Sequence, residues 1–490
     1  MPLECRGAGC NASLVAGATE AVGREPRRTA NDARLELRNW GEDLVWHPLA
    51  IVDAHSVADV VAIVNDGERY PSPVRALGSR HSTTPAGEAN GGTNVHMRGM
   101  GRILEIGEDT VRAEAGALYI DVAKELQKRN LQFHVNVELG NLTIGSAACC
   151  ATKEASLPGE YAQVSSYCIA MTLVTANGSV LEISEESDPE LMQAARSSYG
   201  MLGIVVEATF RVRPLQAMKV EHRVFTLDEF VEALPRLAEE QQSIMLYLFL
   251  HVDRVVTELR RYTGAETQAA TRPTHSLWKL RNVMWKSSSP AVGYLLERHV
   301  HSQRLRYAVL DRFNRNVAVR ALGLLSAANT IPTDQMIRYP EQPDWKRYTF
   351  SIWAFPEERY TETLREYFAW AKDYYRRHGW RVNLPHVGYR IEQDQQALFS
   401  YTWGGRVLTI DPVATGKPGW REYLSAYNEF CAAHGGSPLL NQTWGLKAQH
   451  LRGAFGSRVD RFELIRVRLD PDARFLNGYF RELLQPGGTS

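Results

Sequence analysis

Val74-Arg75-Ala76-Leu77-Gly78-Ser79-Arg80-His81-Ser82 is the stretch whose reading decides the fold. An extended apolar run empties into a small-residue turn, and the turn ends in a histidine. Gly78 and Ser79 let backbone N–H groups approach a phosphate with no Cβ in the way. A histidine just beyond such a turn lies over whatever ring system the phosphate carries. An isolated Gly-Ser-x-His is also an ordinary surface turn, so the neighbouring sequence has to arbitrate.

Upstream, Val45 to Val52 reads as a strand, and Ser56 caps a helix that buries Val57, Val60, Val61 and Val64 at helical spacing. With Val74–Leu77 this makes β-α-β. The His81 turn then falls at the carboxyl end of a strand, where open α/β folds bind ligands. Downstream, short strands are expected at residues 94–97, 102–106 and 110–115, and a helix from Asp121 to Lys128. A loop rich in small residues, Glu138 to Ala147, comes next. Gln163 to Val174 alternates and turns at Asn177-Gly178, and Val180 to Ile183 returns. Asp188-Pro189-Glu190 opens a helix, and a long strand runs from Ile204 to Val212, closing at Pro214.

This succession resembles the vanillyl-alcohol oxidase, or PCMH-type, family of FAD-binding flavoproteins over residues 39–214, and more faintly to the C-terminus. There a histidine in a Gly-x-Gly-His-Ser context is bonded through its ring to the 8α-methyl of FAD. Here Arg80 stands at the second glycine. The resemblance implies FAD, joined covalently at His81 and cradled by Leu77, Gly78, Ser79, Arg80 and Ser82. It implies a diphosphate loop with Gly140, Asn141, Thr143, Gly145, Ser146 and Cys149, and adenine and ribose held near Val164, Ile169, Ile204 and Val205. Some relatives tether FAD a second time through a cysteine that precedes its glycine-rich turn. Cys149 and Cys150 follow Gly145, so they read as packing residues.

After Pro214 the pattern changes. A helix from Leu227 to Glu239 and strands at 245–253, 348–354, 382–389 and 408–410, with helices after Pro356 and from Trp420, suggest an antiparallel sheet covered by helices on one face. This part resembles the substrate domain of the sugar-lactone and alditol oxidases of the same superfamily. The expected class is α+β. Residues 1–38 are a flexible leader, 39–214 the two-subdomain PCMH-type FAD-binding domain, 215–455 an α+β substrate (cap) domain, and 456–490 a segment returning to the FAD domain.

In that subgroup a Glu-x-Arg strand and a lysine after Gly-Gly-x-Pro-His line the flavin. The matching strand here is Val387-Gly388-Tyr389-Arg390, with the arginine kept and glycine in place of the glutamate. In the matching loop, Gly435 to Gln442, Leu439 replaces the histidine and Gln442 the lysine. The resemblance therefore names Arg390 as the charge beside the reduced flavin. His386, Tyr389, Tyr401, Trp403 and Gln442 are candidates for the base and the wall of the site. Loss of two polar partners predicts a substrate less polar than a sugar lactone, such as a secondary metabolite. The expected reaction oxidises a C–OH group by hydride transfer to flavin N5, with O2 as acceptor and H2O2 as product. Two alternatives stand beside it: a dehydrogenase or reductase using another acceptor, and a flavin-binding protein without turnover.

Composition adds bounds. The 490 residues carry 56 basic and 56 acidic side chains, so nothing global points to nucleic acid. No apolar run reaches membrane-helix length and no signal peptide is evident, so a cytoplasmic protein is expected. The six cysteines show neither a disulfide framework nor metal spacing, and no metal is expected. Residues 272–320 hold ten basic side chains against Glu297 and Asp311, with aromatic residues between them. Such a stretch can meet an anionic lipid or acidic ligand; the plainer reading is a helical excursion with solvated charges.

Overall fold

The His81 turn is built by a three-stranded parallel sheet. Thr93–His96 lies between Ala50–Asp53 and Val74–Leu77, in register from Ala50 to Thr93 and from Val74 to Thr93. The Val57–Asn65 helix crosses between the outer strands. Ser56 caps it by accepting from the Asp59 amide, and Val60, Ile63 and Val64 are buried beneath it. The computed structural model describes residues 35–485, apart from 139, 241, 263–280, 327–328, 333–346 and 417.

A six-stranded antiparallel sheet follows, centred on Ile204–Pro214. This long strand pairs with Cys168–Val174, with Thr110–Glu114 and, near its end, with Leu131–Phe133. Two local expectations change here. Val164–Tyr167 is a 3-10 turn rather than the start of the strand, and Ile144–Cys149 is a short helix rather than loop.

Beyond Pro214 stands an eight-stranded antiparallel sheet. Its order is Asn329–Pro332, Ala217–Phe225, Arg254–Tyr262, Ser243–Phe249, His386–Ile391, Val407–Ile410, Trp353–Pro356 and Ser437–Pro438. Side chains of Ser243–Phe249 alternate between two cores, as a pleated strand requires. Ile244, Leu246 and Leu248 join Phe230, Tyr360, Leu364 and Tyr427 of the helices on one face. Met245, Tyr247 and Phe249 meet Met284, Val319 and Leu322 on the other. The sheet is thus covered on both faces rather than one, because the described part of the basic excursion docks on the second. Its Arg281 is buried, bonded to Glu258 and Glu138, and residues 272–280 lie outside the described residues.

The C-terminal segment closes on the first sheet. The Arg474 carbonyl accepts from the Val74 amide, and its guanidinium donates to the carbonyls of Ile63 and Val64. Arg75, inside the deciding stretch, donates to the Phe475 carbonyl at 2.8 Å.

Candidate active site

A cleft opens beside the His81 turn. It is lined by Leu77 to Ser82 on one side, by Thr143, Gly145, Ser146 and Cys149 on another, and by Val205 behind. The two glycine-bearing segments are in van der Waals register. A Cβ on Gly78 would come within 2.4 Å of Thr143 Oγ1, and one on Gly145 within 2.9 Å of the Ala115 Cβ. Ser79 Oγ donates to the Asn141 carbonyl at 2.5 Å, and Thr143 and Ser146 share a hydroxyl bond at 3.0 Å. Arg80 has a φ of +59°, so this residue adopts the left-handed backbone for which the family's glycine is suited.

His81 stands at the end of this cradle with its ring centroid 5.2 Å from that of Trp40. Its Nε2 is buried without a hydrogen-bond partner among the described residues, as is Asn141 Oδ1. Burial lowers the imidazole pKa to about 4, so the ring is neutral near pH 7. Small residues in close approach and buried polar atoms without good partners, along a cleft lined by both glycine-bearing segments, fit a bound dinucleotide.

Some expected contacts fall elsewhere. Gly140, Val164, Ile169 and Ile204 do not line the cleft, and Asn141 contributes through its carbonyl to Ser79. The Gly140 carbonyl is taken by the Ile120 amide, and Ile204 pairs with Val174 in the sheet. The cleft adds residues that reading along the chain did not assign: Arg75, Tyr199, Gly200, Gly203 and Asn441 among them. Arg75 ties carbonyls from three segments, Ala86 at 2.7 Å, Phe475 at 2.8 Å and Gly200 at 3.1 Å.

A second, smaller chamber shares Thr152 and Gln442 with the cleft. Its wall carries Glu138, Lys153, Glu154, Tyr389 and Asp411, with Ile352, Val387 and Val413 as apolar patches. Lys153 Nζ lies 3.1 Å from Asp411 Oδ2 and 3.5 Å from the Tyr389 ring centroid. Glu154 meets Arg260 at 3.1 Å. Burial raises the Asp411 carboxyl to about 6 against the opposing pull of Lys153, and burial lowers the Lys153 ammonium.

Of the four residues expected to do chemistry, Tyr389 and Gln442 line the chamber; Arg390 and His386 line neither cavity. The pleat explains the split. Val387 and Tyr389 face the chamber, whereas His386, Gly388 and Arg390 take the opposite face. There the Arg390 guanidinium is held by Glu357 at 2.8 Å and Glu392 at 3.2 Å. His386 Nε2 is bonded to the Tyr367 hydroxyl at 2.7 Å, and burial lowers its pKa to about 3. Gly388 packs on Leu246, so a glutamate there would enter the core. Tyr401 bonds to Gln163, and Trp403 lies under Arg458, away from the site. Leu439 and Leu440, whose apolar character suggested a less polar substrate, line neither cavity.

Comparison with known proteins fits this geometry. A model of the FAD-binding domain matches residues 48–184, and one of D-arabinono-1,4-lactone oxidase matches residues 208–483. The chain belongs to the D-arabinono-1,4-lactone oxidase family. It is an FAD-dependent oxidoreductase of PCMH-type fold. It is 25% identical to an L-gulono-1,4-lactone dehydrogenase of Mycobacterium tuberculosis, over 91% of this chain and 99% of that protein. It is 23% identical to the L-gulonolactone oxidase of Mus musculus, over 92% and 98%. In fold it is similar to a solvent-stable cholesterol oxidase, with a TM-score of 0.69 at 16% identity, over 92% of this chain and 98% of the other.

Proposed function

We propose that this family member oxidises a C–OH group of a sugar lactone, with FAD joined to His81 and with O2 as the electron acceptor. The observation that carries the substrate reading is the chamber that adjoins the cleft through Thr152 and Gln442 and is walled by Lys153, Asp411, Glu154 and Glu138. A site dense in buried polar groups favours a ligand that satisfies them and rejects one that leaves them unpaired. These polar groups stand among apolar side chains such as Phe350, Ile352, Val387 and Val413, an arrangement that can take the hydroxyls of a lactone on one side and its ring on the other. Relatives named as lactone oxidases and lactone dehydrogenases point the same way.

FAD, when bound, supplies the two-electron oxidant. The chain's residues supply the rest. Gly78, Ser79, Thr143, Gly145 and Ser146 would hold the cofactor's phosphates by close approach. The unpaired, neutral Nε2 of His81 is suited to a ring-to-methyl bond. Tyr389 and Gln442 orient the substrate where cleft and chamber meet. The test is anaerobic bleaching of the flavin band by a panel of sugar lactones, sterols and aromatic alcohols, followed by oxygen uptake. Bleaching by lactones with peroxide on aeration is the expected result. Bleaching only by apolar alcohols overturns the substrate, slow reoxidation by O2 overturns the acceptor, and no bleaching at all favours a flavin-binding protein without turnover.

A further inference from the structure

We propose that Lys153 and Asp411 are the hydroxyl-binding acid–base pair of the chamber: Asp411 accepts the hydrogen bond, then the proton, of the reacting hydroxyl, and Lys153 fixes the carboxylate. This rests on the lactone-oxidising reading above and deepens it.

The two side chains come from distant parts of the chain. Lys153 follows the Ile144–Cys149 helix of the FAD-binding half, and Asp411 follows the Val407–Ile410 strand of the large sheet. Both line the chamber that adjoins the cleft, and their side chains are only 3% and 4% exposed. Asp411 is half used. Oδ2 takes Lys153 at 3.1 Å, while Oδ1 is buried with no well-formed hydrogen bond among the described residues, the Thr409 hydroxyl adding only a weaker pull on the carboxylate. A buried acceptor left without a good donor is costly, and a ligand hydroxyl at this oxygen would offset that cost. Stability gives no separate reason for the pair, since a buried salt bridge is often no better than apolar packing.

The surroundings mark Asp411 as a carboxyl that burial brings close to neutrality, and burial raises its neighbour Glu154 as well. Facing Asp411 are Lys153, Glu154, Glu138 and Tyr389, from the helices Tyr360, Tyr367 and Tyr427, and from the loop ahead of its strand Tyr401. Glu154 is paired with Arg260 and Glu138 with Arg281. Burial pushes these five tyrosines well up, so they stay neutral. Asp411, raised to about 6, is therefore an ionised acceptor at pH 7 poised close to its own titration, as a general base should be. In the step, the hydroxyl O–H bond breaks and its proton goes to Asp411 Oδ1. The oxygen keeps the bonding pair, which becomes the second C=O bond. The C–H bond breaks with its hydrogen and electron pair leaving to FAD, so the alcohol loses the two electrons the oxidant gains.

The experiment uses holoenzyme and two variants, D411N and the double variant K153M/D411L, which leaves no lone charge buried. Affinity for L-gulono-1,4-lactone is measured by calorimetry on dithionite-reduced, anaerobic protein, where no turnover occurs. The rate of flavin bleaching by the same lactone is followed from pH 5 to 8. Both variants are expected to keep wild-type FAD content and circular dichroism, to bind the lactone about tenfold or more weakly, and to bleach roughly 10²–10⁴-fold more slowly. The wild-type rate should rise through pH 6, and that limb should vanish in D411N. Wild-type affinity or an unchanged acid limb in either variant overturns the pair's role, as does loss of fold and FAD together in both. A wild-type protein that neither binds nor is bleached by any lactone overturns the substrate reading, and the pair's role with it.

Discussion

The cleft and the chamber meet at Gln442, yet they are made in opposite ways. The cleft is walled largely by backbone and small side chains, and much of it comes from two short runs, Leu77 to Ser82 and Thr143 to Cys150. The chamber is walled by charged and aromatic side chains drawn singly from positions 138, 153, 389 and 411. A surface made by backbone approach tolerates few changes of size but many of chemistry. A surface made by paired charges tolerates the reverse. Substitutions in the two regions should therefore fail differently, the first by losing cofactor and the second by losing reaction.

The largest effect is expected at Gly78. Gly78→Val places a Cβ where Thr143 Oγ1 already stands, 2.4 Å away, and pushes branched bulk between the two glycine-bearing segments. The purified protein should be nearly colourless, with its flavin band almost gone. A Gly78→Val protein with full FAD content breaks the view that the cleft works by close approach.

His81→Ala sharpens the same region. Wild type should keep yellow colour on the polypeptide after acid precipitation, and the variant should release all its flavin. Its folded state should persist, because the ring's losses within the protein are limited to the contact with Trp40 and the Asn141 side chain. Freely extractable flavin in wild type contradicts the covalent reading.

The contrast also explains what could be read from sequence. Strand, small-residue turn and histidine are contiguous between Val74 and Ser82, so local pattern alone revealed them. Lys153 gave no such signal: a lysine in Ala151-Thr152-Lys153-Glu154 looks like any solvated loop charge, and only its tertiary partner makes it a site residue. Asp411-Pro412 similarly reads as the turn after a strand. Arg390 is named by resemblance to a strand, and the resemblance does not carry the pleat: in His386–Ile391 alternate residues take opposite faces, and Arg390 falls on the face away from the chamber. The strands Ala217–Phe225 and Arg254–Tyr262 escaped notice because charged residues interrupt their apolar pattern. Those charges are in part interior: His222 and Glu258 are fully buried and bonded at 3.0 Å.

A smaller effect is expected on the far face of the His386 strand. Burial holds His386 at about 3, against about 6.5 unfolded, so the unfolded chain binds more protons between those values. Its contribution to stability is present above pH 6.5 and is lost as pH falls from there towards 3. His386→Gln should flatten the dependence of unfolding free energy on pH in that window, by at most about 1.4 kcal/mol per pH unit. Flavin reduction at pH 7.5 should change little if His386 has no chemical role. An unchanged slope would place the residue's protonation elsewhere.

The most direct test compares neighbours on one strand. Tyr389 faces the chamber beside Lys153, and Arg390 faces Glu357 and Glu392 on the other side. Tyr389→Phe and Arg390→Met are each mixed anaerobically with L-gulono-1,4-lactone, and the rate of flavin bleaching is recorded at equal FAD content. The account predicts that Tyr389→Phe slows bleaching by roughly tenfold, about the loss of one positioning hydrogen bond, while Arg390→Met stays within about twofold of wild type. A hundredfold loss in Arg390→Met, with Tyr389→Phe unaffected, would put the reaction on the other face of the sheet and contradict it.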